Sequence, residues 1–116
     1  IQQIKHKLGI SGVLSNESAW FVKADENNEG AQIDMLIDRR DHVVNVCEMK
    51  FSQDEFTIDK DYEQNLRRKI SRFIEVSDTK KSIQLTFITT YGVKKNMYSG
   101  RVTNQVILSD LFKEIE

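Results

Sequence analysis

Proline is absent from this chain, and cysteine occurs once. The lack of proline argues against a long flexible linker inside it. A lone Cys47 excludes an internal disulfide and fits a reducing compartment, so a cytoplasmic setting is expected. No apolar run approaches about 20 residues, so neither a membrane-spanning helix nor a signal peptide is visible. Charge of one sign is not in excess: 18 acidic against 17 basic residues leave a net charge of −1, without a global pull toward nucleic acid or membrane. A Gly-x4-Gly-Lys-Ser/Thr loop is missing too, so no nucleotide site is expected here. Repeats and low-complexity tracts are absent. The chain opens at Ile1, partway into a helical pattern, and reads as a piece of a longer protein. Its 116 residues suit one domain with a core of its own.

What the chain does have is two acids and a lysine set among strand formers. Residues 32–38 and 43–51 are rich in such residues, and the polar run Arg39–His42 lies between them. That pattern predicts an antiparallel hairpin. With the loop centred near Arg40–Asp41, Asp34 falls opposite Cys47 or Glu48, and facing side chains are about 5 Å apart at Cβ. Strand alternation places Glu48 and Lys50 on one face and turns Cys47 to the other. Charges within apolar strands are costly unless they are paired or hold a metal. Asp34 and Glu48 therefore suit a shared divalent cation, with Lys50 beside it to orient or deprotonate a water. The plain alternatives are that Asp34 caps a turn or forms an inert buried ion pair with Lys50.

The remaining pattern supplies the other elements. Ile1, Ile4 and Leu8 have helical spacing, and Gly9 stops the helix. Residues 18–24 read as a first strand and Asp25–Gly30 as a polar turn. Ile58, Tyr62, Leu66, Ile70, Phe73 and Ile74 form the apolar stripe of a helix over 59–77, whose other face carries Lys60, Arg67, Arg68 and Arg72. Residues 82–90 and 101–108 read as two more strands, and Ser109 as the cap of a short helix through Phe112. Asp38 and Asp41 read as hairpin-edge residues, His6 and His42 as surface histidines, and Trp20 as a core or interface aromatic.

An order of helix, three-stranded meander, helix and strand, carrying Asp34…Glu48-x-Lys50, resembles the PD-(D/E)xK nuclease superfamily over roughly residues 1–90. More narrowly, Gly30-Ala-Gln-Ile-Asp-Met-Leu-Ile-Asp and Val46-Cys-Glu-Met-Lys-Phe look like the C-terminal nuclease-like domain of AAA+ ATPases of Bacteroidetes and archaea. The resemblance implies an α/β fold with a restriction-endonuclease-like core, a central mixed sheet flanked by helices. It implies one nuclease-like domain over 1–116, following the ATPase and winged-helix domains of a parent chain. Asp34 and Glu48 would be ligands of Mg²⁺ or Mn²⁺, and the Met49 carbonyl a further one. Lys50 would position the attacking water and stabilise charge on the phosphate. Gln64 stands where some relatives place a helper glutamine. The acid that the superfamily often adds from its first helix is missing from Ile1–Leu8, with Glu17 as the substitute candidate. Degenerate members keep the fold as a binding or scaffold module, which is the rival expectation.

Between Asp78 and Asp110 no acid occurs, while Lys80, Lys81, Lys94, Lys95 and Arg101 do. With Arg67, Arg68 and Arg72 they are expected to form a positive face for a DNA backbone. The bland reading is a set of solvated charges. The Tyr91–Tyr98 segment is either a substrate loop or a strand connection. Oligomeric state is left open.

Overall fold

The structure is a computed structural model and describes residues 1–108. The chain begins with helix α1 (Gln2–Lys7), followed by strands β1 (Ser15–Val22), β2 (Ala31–Arg39) and β3 (Val43–Lys50). Helix α2 (Lys60–Ser77) leads to β4 (Ser82–Thr89), and a single 3₁₀ turn (Ser99–Arg101) precedes β5 (Val102–Ile107). The expected helix from Ser109 lies outside the described residues.

One five-stranded sheet runs in the order β1-β2-β3-β4-β5. The first three strands form an antiparallel meander, and β3, β4 and β5 run parallel. The fold is therefore α/β, with a central mixed sheet flanked by helices. Residues 51–81, α2 among them, make the crossover that a parallel β3–β4 pair requires. The two central parallel strands carry runs of buried residues, Val44–Glu48 and Leu85–Thr89, as strands covered on both faces do.

Alternation along β3 separates those faces. Val44 and Val46 join Ile33, Leu36, Leu85 and Phe87 in the core beneath α2, where Leu66 and Phe73 close it. Trp20 meets Phe73 edge-on at 5.3 Å, a core contact. Cys47 points the other way, into a smaller core with Ile10, Ile37, Ile88 and Val106, against which Ile4 and Leu8 of the α1 segment pack. On the Cys47 face a buried polar ladder crosses the sheet. Arg39 donates to Asn45 at 3.1 Å, Asn45 to Thr86 at 3.0 Å, and Thr86 to Asn104 at 3.3 Å. Each buried polar atom in it gains a partner, as burial demands.

Local signals account for the helix ends. Asp59 caps α2 by accepting from the Tyr62 N–H at 2.8 Å, and Asp78 ends the helix in the left-handed region with φ 54°. The β2–β3 connection is Arg40–His42, with His42 at φ 67°. The segment between β3 and α2 is held by Phe56, which bridges the chain at Gly92 and Lys94. Tyr91–Tyr98 is accordingly a tethered connection between β4 and β5.

Candidate functional site

The β2–β3 ladder pairs Asp38 with Val44 and proceeds through Met35 with Cys47. Counted one step further, Asp34 would fall at the level of Glu48, but no pairing is formed there. On its other edge β2 carries an irregularity: Ser18 pairs with Leu36 but Trp20 with Ile33, two steps on β1 against three on β2. The extra residue falls at Asp34–Met35. A β-bulge bends the strand and re-aims a side chain. The Asp34 carboxylate accepts the Met49 N–H at 2.9 Å, so this acid is fixed to the backbone between Glu48 and Lys50.

Glu48 lies on the α2 side of β3 with a side chain only 1% exposed. Its Oε1 accepts from Lys69 Nζ at 2.5 Å, whereas its Oε2 is buried without a hydrogen-bond partner. A carboxylate half satisfied in the interior is unusual, because an unpartnered buried acceptor forfeits its hydration. Lys50 occupies the same side of β3. Its ammonium lies 5.2 Å from the Tyr62 ring centre and 5.9 Å from that of Phe56, within cation–π range. The Tyr62 hydroxyl is a second buried group without a partner. Burial pushes its pKa up, and the nearby charges of Glu48 and Asp34 push it further. The same three causes, in the same order, raise the Cys47 thiol to about 12.

Asp34, Glu48 and Lys50 are thus brought together, and two residues unforeseen in the sequence join them. Lys69 is the cation that pairs with Glu48, and Tyr62 closes the site over Lys50. A signal for Lys69 existed: it sits three residues from Leu66 and four from Phe73, on the apolar stripe rather than off it. Gln64 is not brought to the acids. It is exposed on another flank of α2, lining a groove with Lys60, Arg67, Tyr98 and Arg101. Glu17 is exposed on β1 and pairs with Ile37, away from Asp34. The α1 segment contributes Lys5, whose ammonium donates to the Val13 carbonyl at 2.7 Å, and no acid.

The donor set can be tested for a metal. Among the described residues no cluster of three or more His, Cys, Asp or Glu side chains has metal-ligand proximity. Mg²⁺ needs fewer, since it commonly keeps several waters and takes one or two carboxylates. The bare Oε2 of Glu48 and the Asp34 carboxylate, held at the adjacent Met49 N–H, are hard oxygen donors of that kind. The residues therefore fit such an ion, with Lys69 as the competing cation.

The expected positive face divides. Arg68 donates to the Gly30 carbonyl and to Asn65 Oδ1, each at 2.8 Å, and Arg72 bridges Asp25 at 3.1 Å and Glu75 at 3.2 Å. Both fasten the Asp25–Gly30 turn to α2, and the Arg72 side chain is only 11% exposed. Arg67 lies on the opposite flank, where it and Arg101 share the buried Glu63 at 2.5 and 2.9 Å. Those two guanidinium groups hold the Glu63 carboxyl below the usual carboxylate range, Arg67 foremost. Lys81 is engaged by Asp38 at 2.6 Å. Lys94 and Lys95 are exposed.

No protein-family model matches the chain, and no curated protein does. The crystal structure of a protein of unknown function, AF1548, matches with a TM-score of 0.58 at 16% identity, over 98% of this chain and 64% of that one. At that identity the likeness bears on the fold alone, and the chain spans less than two thirds of its neighbour's length. No helix among the described residues is long and apolar enough to cross a membrane.

Proposed function

We propose that the chain is a metal-dependent phosphodiesterase domain acting on DNA, of the PD-(D/E)xK kind, working in the cytoplasm and serving an ATPase in a longer parent chain. The observation that carries the reading is the unpartnered, buried Oε2 of Glu48, with Asp34 held on the N–H of the next residue, Met49, and Lys50 on the same side of β3. Asp34 and Glu48, with the Met49 carbonyl, would hold Mg²⁺ or Mn²⁺. Once bound, such an ion neutralises phosphate charge and acidifies a water. Asp34, pinned by the Met49 N–H, keeps its orientation without rearrangement. Lys50, seated against Tyr62 and Phe56, presents a fixed positive charge to the phosphate as negative charge develops, and orients the water.

Cleavage of plasmid and linear DNA in Mn²⁺ tests this reading. Wild type is expected to cleave, Lys50→Ala to lose cleavage while keeping metal, and Asp34→Ala to lose both. Equal cleavage by wild type and Lys50→Ala sinks the mechanism. One observation favours a second reading, a catalytically inactive module that binds nucleic acid or protein for the same ATPase: Lys69 already neutralises Glu48. Absence of cleavage and of metal binding alike would leave that reading.

A further inference from the structure

We infer that Lys69 is an exchangeable counter-ion, an internal cation that occupies Glu48 until a divalent ion displaces it. The inference rests on the reading of Asp34 and Glu48 as a cation site and adds the means by which that site is regulated. Lys69 reaches Glu48 Oε1 at 2.5 Å from α2, with 14% of its side chain exposed. It satisfies one oxygen and leaves Oε2 bare. An ammonium can give three hydrogen bonds but not encircle a carboxylate, whereas a divalent ion draws on Glu48 and Asp34 together. With such an ion in place, the ammonium would stand against a double positive charge in a poorly hydrated setting, where like charges repel strongly.

The structure provides somewhere for the ammonium to go. Beside it lies an open groove of about 510 Å³, lined by Trp20–Val22 of β1, Gly30–Gln32, and Asn65, Arg68 and Lys69 of α2. A lysine stem with four rotatable bonds can swing from the carboxylate into that groove without moving the helix. There it would reach solvent, alongside Arg68, whose guanidinium is tied to the Gly30 carbonyl and Asn65. Without metal, the ion pair holds the acid in a self-neutralised state, and the competing ammonium lowers the apparent affinity for the cation.

Calorimetric titration with Mn²⁺ tests the exchange without recourse to activity. Lys69→Met is expected to bind Mn²⁺ about tenfold or more tightly than wild type, because the competing charge is gone. Lys69→Arg is expected to bind no more tightly than wild type, since a guanidinium can engage both carboxylate oxygens, and Glu48→Gln to lose binding. A wild type that binds Mn²⁺ while Lys69→Met binds equally or more weakly overturns the exchange and leaves the metal site standing. Failure of both to bind overturns the site and the exchange together. Should Lys69→Met not fold, lysine-selective NMR of the wild type decides. On saturation with Mg²⁺ the Lys69 ε-methylene should become mobile, and an unchanged, rigid signal refutes displacement.

Discussion

Removing Lys69 leaves the Glu48 carboxylate buried without its cation, a loss that costs about 3–5 kcal/mol in comparable buried pairs. In metal-free buffer Lys69→Ala should therefore lower the urea midpoint steeply. The double change Glu48→Gln with Lys69→Met should recover most of that loss, because no charge is then stranded. A double variant as unstable as the single would mean that Lys69 matters through packing of its stem. Cys47 allows a second test at this scale. Its thiol is raised from 9.0 to about 12 by burial first and the charges of Glu48 and Asp34 second. The unfolded chain loses that proton near its ordinary value, while the folded chain keeps it. Stability from this group is thus complete below about pH 9 and falls by about 1.4 kcal/mol per pH unit as the pH rises toward the folded value. Tyr62 is shifted in the same direction and adds to the loss above its ordinary value of 10.0. Urea titrations at several alkaline pH values should show Cys47→Ala with a shallower decline than wild type. Parallel slopes would refute the shift.

Helix α2 carries both unforeseen residues of the site, so its N-terminal register sets the geometry over β3. Asp59→Ala removes the bond to the Tyr62 N–H and should cost about 1 kcal/mol, read as a lower urea midpoint at unchanged slope. Because the capped turn also carries Tyr62, fluorescence of that residue should shift in the variant even at full folding. The helix is legible in the sequence because its apolar residues recur at a period near 3.6, and the hairpin because two runs of strand formers flank a polar turn. The start of β1 is not, since Ser15, Asn16 and Glu17 lie on a sheet edge where burial does not enforce alternation. The bulge at Asp34–Met35 leaves no trace of its own, because it arises from pairing with β1 rather than from any residue type. Asp34 and Glu48 stand out because acids among strand formers are conspicuous. Lys69 stands out less: its place on the apolar stripe is a signal, but which acid it meets depends on the strand beneath it. Gln64 rests on analogy alone, and the helical turn sends it to the flank with Arg101.

Across the whole molecule a net charge of −1 offers little steering, so any hold on DNA depends on where cations remain unspent. Arg68 and Arg72 are committed to the Asp25–Gly30 turn, and Arg67 and Arg101 to Glu63. Lys94 and Lys95 stand exposed on the connection that precedes β5. Replacing Arg67, Arg68 and Arg72 together would therefore mix a loss of structure with a loss of charge. Separate variants resolve the two. Arg68→Ala with Arg72→Ala should lower the melting temperature, since the β1–β2 turn loses its anchors on α2. Lys94→Ala with Lys95→Ala should leave melting unchanged and weaken DNA binding about uniformly across sequences. If both lysines neutralise phosphates, the slope of log affinity against log salt should fall by about 2, roughly one for each phosphate no longer neutralised. Anisotropy titrations of a labelled duplex at several salt concentrations measure both quantities. Affinity that ignores salt, or survives the lysine pair intact, would remove the β4–β5 connection from any DNA interface and turn attention to protein partners of the same surface.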